Sequence, residues 1–380
     1  MTTPAAPFAS AHASGKHWAD ITRACLAALG PVSRAHALGF VYVTDHLAQD
    51  LPAIVDQLRL TTGLEHWIGT VGIAITGQSG NAPAEEYIDE PAISLMVGHF
   101  APDSFRLLEP EPGGVGSRLR ALQDWSHRRN PAVALVHGDP RNPQLPNLMR
   151  QMTEESGLFL LGGLASSRAG LPQVAGAVGE SGLSGALLAG DVTLVTGLSQ
   201  GCSPIGPQHI ITRAQDNIIM EIDGRPALDI FREEIGEVLA RDLRKIAGFI
   251  FAALPITGSD TGDYLVRNIT GIDSSSGWLA IGAEVAENDP IMFARRDRNS
   301  ALADLERMLE RLKQRIDRPI RGGLYVSCIA RGPNLFGPDA TETRLIARHL
   351  GQFPLTGFFA NGEISHDRIY AYTGVLTLFL

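Results

Sequence analysis

Apolar and polar positions along this chain follow a grammar that recurs. Phe40-Val-Tyr-Val-Thr44 is a short β-branched and aromatic run, followed by a polar stretch over 45–50. Leu51, Ile54, Val55 and Leu58 then fall at i, i+3, i+4 and i+7, the spacing of an amphipathic helix. A second apolar run over 67–75 completes a strand–loop–helix–strand unit. The pattern returns with a strand over 132–136, a proline-punctuated loop over 137–144, helical spacing at Leu145, Leu148, Met149 and Met152, and a strand over 158–165. A third copy has a strand over 323–327, a longer loop over 328–338, a helix face of Leu345, Ile346, His349 and Leu350, and a strand over 355–360. Asp339 and Glu342 have the spacing of a capping box at the start of that helix. A glycine recurs in the second strand of each unit, at Gly69, Gly162 and Gly357, and predicts that the three are copies. Thr44 and His137 each stand 25 positions before it and Ser327 stands 30, which matches these residues across the units. Strand-like material follows each unit, at 93–100, 184–198 and 369–380.

Different material separates the second and third units. Gly201-Cys-Ser-Pro-Ile-Gly-Pro207 reads as a tight loop, 210–212 and 217–222 as a strand hairpin, and Asp223-Gly224 as a turn. A helix from Pro226 to about 247 carries Ile230, Phe231, Ile235, Val238 and Leu239 on one face. A second helix over 300–316 has Leu302, Leu305, Leu309, Leu312 and Ile316 at heptad spacing and is expected to pack on a sheet. The whole predicts an α/β fold of two lobes, with mixed β-sheets covered by helices and built from repeated β-α-β units. The first lobe is expected to hold the units that begin near Phe40 and Ala132. The second is expected to hold the Tyr325 unit and both long helices.

Bulk composition narrows the class. With 380 residues, 44% hydrophobic and 19% charged, the chain forms a core and is not disordered. A net charge of −9 argues against a broad nucleic-acid footprint. Three cysteines, Cys25, Cys202 and Cys328, give neither a disulfide framework nor zinc spacing and fit a reducing compartment. No apolar run approaches the roughly 18 residues of a membrane span, and no basic start with an apolar core marks a signal peptide. The expectation is a cytoplasmic protein with no metal, cofactor, nucleic acid or membrane.

Four blocks carry a more specific signal. They are Ser199-Gln-Gly-Cys-Ser-Pro-Ile-Gly-Pro207, the stretch from Thr212 to Leu228, Ser327-Cys-Ile-Ala-Arg-Gly332, and Pro354-Leu-Thr-Gly-Phe-Phe-Ala-Asn-Gly-Glu-Ile364. In this order they resemble the FIST domains, N- and C-terminal parts together, over about 40–380. The resemblance implies a FIST N-terminal domain over 36–225 and a FIST C-terminal domain over 226–380, after an N-terminal helical extension over 1–35. It further implies a sensory, signal-transduction role with small ligands, for which amino acids are proposed. Some members carry an F-box or a signalling output domain. This chain is expected to be a stand-alone sensor, or an input subunit for a signalling partner.

Ligands gather at strand ends in α/β sheets, and the candidate ligand residues follow that rule. Cys328 ends a strand just before Arg331 and Gly332. The Arg331 guanidinium suits a bidentate carboxylate clamp, with a salt bridge to Asp339 or Glu363 as the competing role. Asn361-Gly362-Glu363 closes the last apolar run and offers a carbonyl and a carboxylate to an ammonium or hydroxyl, with plain turn chemistry as the competing reading. Ser166 and Ser167 hold the matching place in the second unit. Gly201, Cys202 and Ser203 are expected to share an interlobe cleft with Cys328 and Arg331, with a small buried residue filling the turn as the competing reading of Cys202. His137 reads as structural, and Gly113-Gly-Val-Gly-Ser117 as a flexible loop without the ending of a phosphate cradle. The expected function is sensing of amino acids or related small carboxylates, with no catalytic residue. The alternative is a hydrolase or transferase that uses Cys202 or Cys328.

Overall fold

A side chain has no room at the glycine that marks each unit. In the parallel ladders Gly69 stands opposite Val41, Gly162 opposite Val136 and Gly357 opposite Tyr325. A Cβ at these positions would lie 1.7, 1.9 and 1.8 Å from the facing carbonyl oxygen. The backbones therefore approach in a way only glycine allows, and the three units are copies in register. The ladders also correct the match between units. Tyr42, His137 and Val326 are the equivalent residues, each one step past the paired position, whereas Thr44 and Ser327 lie further along their strands.

The computed structural model describes residues 6–80, 82–101, 103–110, 119–180, 182–241, 243–256 and 263–380. The glycine-rich loop expected over 113–117 lies outside them, as does the side chain of Val238. The chain divides into two compact units, one of Met1–Ser199, Leu305–Ile369 and Thr373–Leu380, the other of Gln200–Asp304 and Tyr370–Tyr372.

The first unit is a threefold repeat of strand, helix, strand, helix, strand, two-strand hairpin, strand. Its first copy is β1 (Phe8–Ser14), α1 (Trp18–Leu29), β2 (His36–Thr44), α2 (Leu51–Thr62), β3 (Trp67–Gly72), the hairpin β4 (Ala74–Gln78) and β5 (Glu85–Ile88), and β6 (Ala92–His99). The second is β7 (Phe105–Leu108), α3 (Gln123–Arg129), β8 (Val133–Gly138), α4 (Leu145–Ser156), β9 (Phe159–Leu164), the hairpin β10 (Gln173–Ala175) and β11 (Ala177–Gly179), and β12 (Leu183–Leu188). Both α2 and α4 open on Leu-Pro, where a missing N–H costs nothing, and both close on a left-handed glycine, Gly63 and Gly157. The third copy opens with β13 (Leu194–Gln200).

There the chain leaves the repeat to build the second unit. Its elements are β14 (Cys202–Gln215), β15 (Ile218–Ile222), β16 (Arg225–Pro226), α5 (Ala227–Ile235), α6 (Glu237–Ala240), β17 (Ile250–Pro255), β18 (Tyr264–Asp273), β19 (Trp278–Ile281) and β20 (Pro290–Arg296). The strands run in the order β14-β20-β17-β18-β19-β15-β16, and β14 also pairs with β15, so the sheet closes on itself. The length of β14 permits this: Cys202 stands opposite Arg296 at one end and Gln215 opposite Ile218 at the other. Ile211, Ile219 and Phe293 form the core with Phe231 from α5. Two expectations are corrected here. Residues 201–207, expected as a tight loop, run into a strand, whose prolines are tolerated beside a bulge between Ile205 and His209. The helix expected from 226 to 247 breaks at Gly236, whose φ of 79° no regular helix accepts.

The third copy then resumes with α7 (Arg298–Arg315), β21 (Gly322–Cys328), the short α8 (Pro333–Phe336), α9 (Thr341–Leu350), β22 (Leu355–Ala360), the hairpin β23 (Glu363–Ser365) and β24 (Arg368–Tyr370), and β25 (Thr373–Phe379). As expected, α7 packs on a sheet: Met308 and Leu312 press against Gly197 of β13.

Three mixed six-stranded sheets result, all with one layout: β1-β6-β2-β3-β10-β11, β7-β12-β8-β9-β23-β24 and β13-β25-β21-β22-β4-β5. In each, the last hairpin is borrowed. The hairpin of the first copy completes the third sheet, that of the second completes the first, and that of the third completes the second. No copy finishes its own sheet. The expected lobes are corrected by this exchange: the Tyr325 unit belongs with the other two, because β22 pairs with β4, Phe358 opposite Ile75. The segment before residue 36 holds α1, and also β1, which pairs along β6. Phe40, Tyr42, Leu135, Leu161, Leu324 and Phe358, drawn from all three copies, share one core.

Candidate functional site

Side chains alternate along β21, so Tyr325 and Ser327 share a face. Both donate to Glu342 of α9, Tyr325 Oη to Oε1 at 2.6 Å and Ser327 Oγ to Oε2 at 3.0 Å. Arg331 adds Nε and Nη2 to Oε1 at 2.9 and 2.6 Å, and the Gly332 N–H reaches Oε2 at 3.1 Å. Arg331 Nη1 also donates to the Ser199 carbonyl at 3.2 Å, and its guanidinium stands 5.3 Å from the Phe336 ring centre. Arg331 and Glu342 are both 0% exposed. Burial works against the Arg331 charge, but Glu342 outweighs it and raises the guanidinium pKa above its ordinary value. The competing salt bridge is thus present, with Glu342 as its acid in place of Asp339 or Glu363. The capping-box spacing misled: the residue before α9 is Ala340, no side chain among the described residues caps the helix, and Glu342 is buried in its first turn.

Cys328 pairs with Ala360 at the ends of β21 and β22. Just beyond, Glu363 is wholly buried. Its Oε2 accepts from Thr373, from N at 3.1 Å and Oγ1 at 2.8 Å, and its Oε1 has no hydrogen-bond partner among the described residues. Burial pushes this carboxyl up to about 8, against the Thr373 bonds, the Arg331 charge and the Cys328 thiol. Near neutral pH it is mainly the uncharged acid. Asn361 is exposed at the turn, where its N–H donates to the Leu164 carbonyl at 3.0 Å. Gly362, at φ 132°, accepts from the Leu164 N–H at 2.8 Å. Ser166 Oγ donates to the Phe359 carbonyl and accepts from the Ile73 N–H. Gly332, at φ 51°, lies so close to Phe359 that a Cβ would stand 2.4 Å from its ring. Cys328, Arg331, Gly332, Asn361, Gly362, Glu363 and Ser166 therefore gather in the first unit.

Gly201, Cys202 and Ser203 lie in the second unit. Cys202 is buried with Phe251 and Tyr264, and Tyr264 Oη donates to its carbonyl at 2.5 Å. All three cysteines are free of disulfides and buried. Among the described residues no group of three or more His, Cys, Asp or Glu is placed to hold a metal, and no helix is long and apolar enough to cross a membrane.

The other two copies show what sets the third apart. Past the strand end of the first copy, Asp45 is clamped by Arg168 at 2.7 Å; in the second, Asp139 is clamped by Arg141 at 2.8 Å. Both arginines are more than half exposed, at 53% and 56%. The third copy puts Cys328 and the extra α8 there and buries its arginine. Sequence reasoning missed Thr373 and the roles of Tyr325 and Glu342. The signal was Tyr325 and Ser327 on one face of an otherwise apolar strand, which calls for a buried acceptor.

The arrangement has known counterparts. Residues 37–225 match the family model described as the FIST N domain, and 227–366 that described as the FIST C domain. The border between them falls inside the second unit. An uncharacterized protein of Mycobacterium bovis is 30% identical over 394 aligned residues, which cover 100% of this chain and 97% of that protein. An uncharacterized protein of Mycobacterium tuberculosis is 35% identical over 211 residues, 53% of this chain and 54% of that protein. The chain thus spans about half the length of the second relative. FIST domains are associated with small-ligand sensing in signal transduction. This chain belongs to the FIST family, as a FIST N domain followed by a FIST C domain.

Proposed function

We propose that this protein senses a small molecule, an amino acid or related small carboxylate, at the polar corner formed by Cys328, Ser166 and Asn361-Gly362-Glu363. One observation carries the reading: Glu363 is a wholly buried carboxyl just past the end of a strand, beside the Cys328 thiol, and its Oε1 has no hydrogen-bond partner among the described residues. Such a group costs stability and is kept where it does something. In its uncharged form it can donate to a ligand carboxylate; charged, it can accept an ammonium. The exposed Asn361 marks the solvent side. Arg331 acts through position: its bonds to Glu342 and Ser199 hold the loop that carries Gly332, and a ligand carboxylate reaching it would compete with Glu342. The strand-end contrast with the first two copies supports the choice of the third, and the signalling partner lies downstream of binding.

A thermal-shift screen of the full chain against amino acids and small carboxylates tests this, because a ligand that binds only the folded state raises its stability. At least one compound is expected to raise the midpoint. Glu363→Leu, which removes both donor and acceptor, should weaken that compound about tenfold or more, the worth of a hydrogen bond to a buried polar or charged group. Equal affinity in wild type and Glu363→Leu removes Glu363 from the site.

A further inference from the structure

Tyr42, His137 and Val326 hold one position in the three copies, and all three line a single small cavity in the first unit. Leu135, Leu161 and Thr377 form more of its wall. Its volume is about 10 Å³, close to the smallest space that admits a single water. Nothing larger enters without moving the core of three copies.

The histidine makes the cavity chemically specific. His137 is 2% exposed, and its Nε2 stands 3.1 Å from Tyr42 Oη. Its Nδ1 has no hydrogen-bond partner among the described residues. Burial lowers its pKa to about 3, so the ring is neutral, with one N–H and one lone pair. If Nε2 accepts from Tyr42, Nδ1 carries a hydrogen that needs an acceptor. If Nε2 donates to Tyr42, Nδ1 needs a donor. Either tautomer leaves a buried polar atom unmet by the described residues, which folded proteins rarely tolerate.

We infer that this cavity is a binding site for one water molecule, held by His137 Nδ1 together with Tyr42 or Thr377. Water donates and accepts, so it satisfies whichever tautomer is present, and an apolar molecule of that size satisfies neither. Its partners come from different copies: Tyr42 from the first, His137 from the second, Thr377 from the third. The water is then a hydrogen-bonding centre shared by the repeat, independent of the ligand corner at Glu363.

A high-resolution crystal structure of the full chain is the test. Density is expected at roughly 2.7–3.2 Å from His137 Nδ1, and it should be lost in His137→Phe. A wild-type cavity without density overturns the inference, as does density that persists unchanged in His137→Phe. Should that variant fail to fold, nuclear magnetic resonance of the wild type decides. A hydrogen-bonded Nδ1 with a cross-peak from long-lived water supports the site; an unbonded Nδ1 with no such peak overturns it.

Discussion

Among the described residues Glu342 accepts five hydrogen bonds with no contact to solvent, and all five donors come from the third copy. Removing one partner of a buried pair strands the other charge at a cost of roughly 3–5 kcal/mol. Arg331→Ala is therefore expected to lower the urea unfolding free energy by about that much; a change below about 1 kcal/mol would show that the pair does not hold the loop. Two nearby carboxyls predict a pH dependence. Glu363 is pushed up to about 8 by burial, and Glu86 to about 8 by burial and by the charge of Glu342. Each folded pKa lies above its unfolded value, so the folded state holds more protons in between. Their contribution to stability is full below about pH 4.5 and is lost as pH rises through about 8. Buried histidines titrate with the opposite sign below pH 6.5, so the measured quantity is a difference. The stability gap between Glu363→Gln and wild type should widen in favour of the variant from pH 5 to pH 8.5, and a gap independent of pH would remove Glu363 as the source. At this scale the positions of Cys328, Glu363 and Ser166 at or just past strand ends were legible in the sequence. Glu342 was not legible, because its spacing from Asp339 already had a local explanation as a cap. The strand at Cys202 was hidden by glycine and proline, which mark a loop unless a bulge accommodates them.

The second unit leaves and rejoins the repeat side by side. Cys202 stands opposite Arg296, so the two ends of the excursion are neighbours in one ladder. Replacing 203–295 with a short Gly/Ser link should leave the first unit able to fold, as insertions between close ends generally are dispensable. Circular dichroism and a single cooperative melt of the shortened chain check this; an unfolded product would mean that the third copy needs the inserted sheet. Among the elements, the long ones were legible. Each β-α-β unit shows in the spacing of its apolar residues, and α7 shows in its leucines. The borrowed hairpins were not. β10, β11, β23 and β24 have three residues each, too few for any periodicity, and pairing partners of short strands are set by tertiary packing.

At the scale of the molecule, the exchange of hairpins makes the three sheets interdependent, and non-local pairing of this kind slows folding. It also sets a timetable for synthesis. Gln78 of β4 pairs with Leu355 of β22, so 277 residues separate one strand from its neighbour. At about 5–20 residues per second, the first hairpin waits roughly a quarter of a minute to a minute for its partner to emerge. An apolar strand edge left open that long invites association with other chains. The hairpin carries its own guard, because its second strand opens on Glu85 and Glu86. In the waiting nascent chain both are solvated and charged and repel a second copy. Once the third copy arrives with Glu342 and Thr343, the Glu86 carboxyl oxygens are buried, and burial and the Glu342 charge push its pKa up to about 8, toward the uncharged acid. The guard is thus disarmed by the same docking event that makes it unnecessary.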